Sequence, residues 1–104
     1  MKRFTLYSDL LPEKVEDYKK LHKEPWSELM ALLEECNIHH YSISIKGTSL
    51  FTYYEYTGED YEADMRKMDE SEVMKRWWTF SKPCFLHHDK GHYYDDLEEV
   101  FYKE

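Results

Sequence analysis

Between Val15 and Cys36, apolar or ring-bearing side chains recur three or four residues apart, at Val15, Tyr18, His22, Trp26, Leu29, Leu33 and Cys36. That spacing lays them on one stripe of an α-helix, and a helix with one such stripe needs a second layer to cover it. Leu11-Pro12-Glu13 supplies a start, with Pro in the first turn, acidic residues after it and Asp9 upstream to cap or turn. The helix is expected to run to about Cys36. Pro25 lies inside it, lacks a backbone donor and clashes with the carbonyl four residues back, so a kink or break is expected between His22 and Pro25.

The flanking segments alternate instead. Lys2 to Ser8 sets Phe4, Leu6 and Ser8 against Arg3, Thr5 and Tyr7, which is strand spacing. His40 to Ile45 and Leu50 to Tyr56 alternate on either side of Lys46-Gly47-Thr48-Ser49, a hairpin. Tyr61, Met65 and Met68 predict a helix over Asp60 to Asp69, and Ser71 to Trp78 or Phe80 a second, closed by Pro83. His87-His88-Asp89-Lys90-Gly91-His92 reads as a polar loop, and Leu97 to Tyr102 as a last strand. Strand, helix, two strands, helices, strand is the βαββαβ order of a ferredoxin-like α+β sandwich, over a single domain of 104 residues. Helices should cover one sheet face. The aromatics alternating onto the other face predict a homodimer, since a chain this short gains core by burying a face against a second copy.

Charge narrows the partners. Lys and Arg number 14 against 22 Asp and Glu, a formal charge of -8, and that field repels phosphate backbones; nucleic acid is not an expected partner. No apolar stretch approaches the roughly 20 residues that span a bilayer, and the first residues do not read as a signal peptide, so the expectation is a cytoplasmic protein without membrane contact. Cys36 and Cys84 fit neither a disulfide framework nor a zinc motif and read as reduced thiols.

Tyr18, His22 and Trp26, four residues apart, project along one side of about two helical turns. Indole gives an apolar face for sugar C–H groups, phenol hydrogen-bonds a hydroxyl, and imidazole exchanges protons near neutrality. The same stripe also describes a packed core with one satisfied histidine. Trp77 and Trp78 diverge by about 100° on their helix, so one can line a pocket while the other packs, or both fill core. Tyr41 can face the stripe or pack. His39-His40 and His87-His88-Asp89 with His92 carry ligand types for zinc, but the Gly91 loop argues against alignment of His88 with His92, and no metal is expected. Cys84 has no orienting partner for nucleophilic work, and the acidic runs Glu34-Glu35 and Asp95-Asp96 read as solvated faces.

Tyr18-Lys-Lys-Leu-His22-Lys-Glu-Pro25-Trp26-Ser-Glu-Leu29, His40-Tyr41-Ser-Ile, Lys75-Arg76-Trp77-Trp78 and Glu99-Val100-Phe101-Tyr102 together resemble the L-rhamnose mutarotase family across nearly the whole chain. The resemblance implies a dimeric α+β barrel of ferredoxin-like domains that interconverts the α and β anomers of L-rhamnose without metal or organic cofactor. It implies His22 as the proton-transferring residue and Tyr18, Tyr41, Trp77 and Trp78 as sugar-binding positions; Trp26 joins them from the helix spacing. Where rhamnose-type members carry an Asn-Pro-containing loop before the last strand, this chain reads Phe85 to Tyr94, which leaves L-fucose or another 6-deoxy sugar open. The rival functions are a non-catalytic sugar-binding dimer, a ferredoxin-like monooxygenase and a protein-docking module.

Overall fold

The alternation of Lys2 to Ser8 becomes strand β1, Lys2–Asp9, at the centre of a four-stranded sheet. The computed structural model describes residues 1–91 and 93–104. β2, Ile38–Lys46, and β3, Ser49–Tyr56, form the expected hairpin, and Gly47 at φ +62° takes the left-handed turn position that a side chain resists. β3 lies antiparallel to β1, with Ser8 opposite Leu50, Leu6 opposite Thr52 and Phe4 opposite Tyr54. The sheet order is β2-β3-β1-β4 with every pairing antiparallel, the arrangement that βαββαβ connectivity requires when both crossovers carry helices to one face. The domain is thus the α+β sandwich that its segment order predicts.

The long helix is two helices. A 3-10 turn at Pro12–Lys14 leads into α1, Val15–Lys23, and α2 runs Ser27–Glu35. Between them Glu24 sits at φ -132°, ψ 74° and Trp26 at φ -66°, ψ 136°, both outside helical space. Pro25 explains this: it removes a donor and its ring pushes the preceding residue out of the αR region. Asp9 does not cap. It ends β1, where its carboxylate accepts from Tyr7 Oη at 2.8 Å and from Ser49 Oγ at 3.4 Å. α3, Tyr61–Glu70, begins where Asp60 accepts from the Ala63 amide, and α4 spans Glu72–Ser81 before a 3-10 turn at Lys82–Cys84.

The end of the chain departs from the sequence pattern. A 3-10 turn at His88–Lys90 occupies the expected loop, while His92, grouped with His88 by spacing, lies outside the described residues. The last strand, β4, is Tyr94–Asp96 rather than Leu97 to Tyr102. Leu97 still donates to Thr5 O at 2.9 Å, but beyond it side chains replace the ladder. Arg3 holds the segment through Glu99, at 2.9 and 3.0 Å, and through the Tyr102 ring, 3.5 Å from its guanidinium. Val100 and Phe101 are 88% and 81% exposed. Their alternation finds no apolar face among the described residues to bury against, so it has no drive to extend the strand.

Two apolar clusters lie between helices and sheet. One gathers Leu29, Leu32, Cys36, Ile38, Tyr56, Met74 and Trp77, and the other Leu10, Tyr18, Leu50, Cys84 and Phe85. Both cysteines are free and buried, and burial pushes each thiol above its ordinary pKa.

Candidate active site

A cavity of ≈ 530 Å³ opens at the seam of the two clusters, with walls taken from both. Tyr18, His22, Tyr41, Trp77 and Trp78 all line it. Tyr18 and His22 come from the last two turns of α1, with ring centroids 4.1 Å apart. His22 Nδ1 lies 2.9 Å from the Tyr18 carbonyl oxygen, four residues back. A carbonyl only accepts, so in the neutral ring Nδ1 carries the proton and Nε2 keeps its lone pair. Burial lowers the His22 pKa below its ordinary value, and the backbone hydrogen bond opposes that shift only in part. Neutral imidazole therefore dominates at neutral pH.

Trp77 meets His22 edge-on, at 5.2 Å and 84°, and is 7% exposed. Trp26 is not a lining residue. The break at Pro25 takes it off the Tyr18–His22 line, and it packs edge-on against Trp77 at 5.2 Å and 89°, with the Arg76 guanidinium 5.3 Å over its ring. Its place is behind the wall. Trp78, half-buried, has the Lys82 ammonium 4.0 Å from its ring centre. The divergence of adjacent helical residues thus yields one core indole and one at the cavity edge, both reaching the lining.

Tyr41 reaches the cavity through a β-bulge. His39 pairs with Glu55 but Ser42 with Tyr53, so His40 and Tyr41 together oppose Tyr54. His40, at φ +49°, is the extra residue. Strict alternation from the buried Ile38 would send Tyr41 to the outer face; one added residue returns Tyr41, Ile43 and Ile45 to the face of Ile38. Tyr41 then stacks on Tyr54 at 5.7 Å and 13°, and Tyr54 Oη shares a 2.9 Å hydrogen bond with Tyr61 Oη. On the outer face His40 Nδ1 lies 2.7 Å from Glu55 Oε1, and Tyr53 Oη donates to Glu55 Oε2 at 2.7 Å. These contacts, the tyrosine's first, hold the Glu55 carboxyl below its usual range. Replacing His40 with Val should cost about 1–3 kcal/mol, because a β-branched side chain resists positive φ, whereas His40→Gly keeps the bulge. Thermal melts beside sugar half-saturation check this: His40→Val should lower the first and raise the second, and His40→Gly should spare the second.

Residues that spacing did not single out complete the walls. Tyr54, Ser8, Thr52 and Ser81 line the same space. The spacing of Ile38 to Tyr41, three rather than two, is the one sequence trace of the bulge. Burial raises the pKa of Tyr18 and of Tyr54, so both phenols stay protonated donors at neutral pH. The site joins one free imidazole lone pair, neutral O–H donors and indole surface, which suits proton transfer to and from a neutral, hydroxyl-rich molecule. Among the described residues, no three His, Cys, Asp or Glu side chains are grouped to hold a metal ion, and no helix is long and apolar enough to cross a membrane.

Known proteins resemble this chain over nearly its full length. A family model described as L-rhamnose mutarotase matches residues 3–103. The chain is 34% identical to the L-rhamnose mutarotase of Oceanobacillus iheyensis over 100% of both sequences, and 35% identical to that of Bacillus subtilis over 98% of both. The crystal structure of an L-rhamnose mutarotase from Formosa agariphila superposes with a TM-score of 0.81 at 28% identity, covering all of both chains. With a full-length family match, full-length relatives above 30% identity and the same fold, the chain belongs to the L-rhamnose mutarotase family.

Proposed function

We propose that this protein interconverts the α and β anomers of L-rhamnose, with His22 as the residue that moves the proton. The free Nε2 of a neutral imidazole in an aromatic cavity carries the reading. Nε2 takes the proton of the anomeric hydroxyl, the C1–ring-oxygen bond breaks, and the ring oxygen receives a proton. The open aldehyde then turns about its C1–C2 bond. Reclosure runs the same transfers backward on the other face, as microscopic reversibility requires. The Tyr18 or Tyr41 hydroxyl or a bound water supplies the second proton. That donor is left as its conjugate base beside the imidazolium while the ring is open, and reclosure returns the ring-oxygen proton to it as His22 returns the other to the anomeric oxygen. Tyr41, Trp77 and Trp78 bound the sugar by hydrogen bonding and by apolar contact with its C–H faces.

The protein acts as a cytoplasmic homodimer in this reading. Support comes from the sheet face away from the helices, where Phe51 is exposed beside Tyr7, and from the exposed Val100 and Phe101 at the β4 edge. Saturation-difference NMR on L-rhamnose and L-fucose tests the activity: exchange between anomers beyond the uncatalysed rate is expected with L-rhamnose, and its absence with both sugars overturns the reading. Sedimentation at twice the mass of one chain is the expected state.

A further inference from the structure

The centre of a sheet face covered by helices is ordinarily filled by Val, Ile and Leu. Here β1 and β3, the two central strands, set Ser8 and Thr52 there, and α4 ends in Ser81 on the helix side of the same cavity. Ser8 is 7% exposed, Thr52 8% and Ser81 5%. Ser8 lies between Leu6 and Leu10 on its face, and Thr52 between Leu50 and Tyr54. With Ser8 opposite Leu50 and Leu6 opposite Thr52, the two hydroxyl residues are diagonal neighbours across adjacent strands.

Among the described residues none of these hydroxyls has a hydrogen-bond partner in the protein. Nor, among the described residues, is any fully enclosed side-chain nitrogen or oxygen left unpaired, so each of these hydroxyls keeps some accessible surface, and all three residues line the cavity. Polar groups withdrawn from bulk water and left unpaired weaken the folded state, and this conflict between residue type and position is what a ligand resolves. Each hydroxyl both donates and accepts, as do the hydroxyls of a pyranose.

Resting on the mutarotase reading, we propose that Ser8, Thr52 and Ser81 are specificity-determining residues that hydrogen-bond the non-anomeric hydroxyls of the sugar. His22 acts at C1 and the ring oxygen, and the serine and threonine hydroxyls read the rest of the ring. A cavity built to pair substrate hydroxyls discriminates strongly against an analogue lacking one, because its own polar group is then stranded.

The test is NMR anomer exchange against L-rhamnose concentration for wild type, Ser8→Ala, Thr52→Val and Thr52→Ser, with a thermal melt of each. Ser8→Ala and Thr52→Val should each raise the half-saturation concentration about tenfold, the loss of one good hydrogen bond, while their melting temperatures hold or rise. Thr52→Ser keeps the hydroxyl and should stay within about twofold of wild type, as removal of a methyl alone leaves the bond intact. Active wild type with unchanged half-saturation in both deletions overturns the inference and leaves the mutarotase reading standing. Wild type without exchange overturns that reading and this inference together. If Thr52→Val fails to fold, Ser8→Ala decides by the same criterion.

Discussion

His22→Asn is expected to lower catalysed anomer exchange of L-rhamnose by about 10²–10⁴-fold, the range that one positioned acid/base group supplies. Asparagine approximates the size of the ring but has no group that takes and returns a proton near neutrality, so the loss should fall on turnover more than on half-saturation. Because the Tyr18 carbonyl fixes the Nδ1 proton, the variant removes the Nε2 lone pair that the proposed mechanism uses. The pH profile follows from the same burial. A lowered His22 pKa means that wild-type exchange should persist through pH 6.5, the ordinary histidine value, and decline only at lower pH. The sign for stability is matched: the unfolded chain protonates His22 near pH 6.5 while the fold still resists it, so below that pH stability drains away through the folded-state pKa. His22→Asn should lack this component. Exchange at the wild-type rate in the variant would remove His22 from the mechanism.

What was legible in the sequence were features governed by local periodicity. The 2.0 and 3.6 repeats located the hairpin and the α-helical segments of the described residues, and Pro25 placed the break, because those signals depend on each segment's own backbone. The motifs also singled out Tyr18, His22, Tyr41, Trp77 and Trp78, which line one cavity in the fold. Other features depended on partners distant in sequence. Leu97 to Tyr102 alternates like a strand, but a strand forms only where a face awaits it, and Arg3, almost a full chain length away, holds this segment by its side chains instead. Trp26 continued the stripe on paper, yet a helix that stops at Lys23 cannot carry the stripe to the next residue in register. Ser8 and Thr52 were hidden because their alternation is faultless; only the pairing of β1 with β3 shows that two small hydroxyls share the middle of the covered face.

Trp77→Ala is expected to destabilise the fold by about 3–5 kcal/mol and to weaken sugar binding together, the first read by chemical denaturation and the second by NMR titration with L-rhamnose. Trp77 is buried in the cluster with Leu29, Leu32 and Met74, so truncation leaves a void that its neighbours cannot close. It also sets both His22 and Trp26 edge-on against its ring, so the imidazole loses the wall that fixes its orientation. Trp78 provides the contrast. Half-buried, with Lys82 against its ring, it contributes less to the core, and Trp78→Ala should cost well under the Trp77 value while still weakening binding. Two adjacent indoles with unequal roles in stability and a common role in the cavity wall explain why this helix carries both. Sugar affinity unchanged in both variants would reduce the pair to packing and leave ligand contact to Tyr41 and the hydroxyl residues of the sheet.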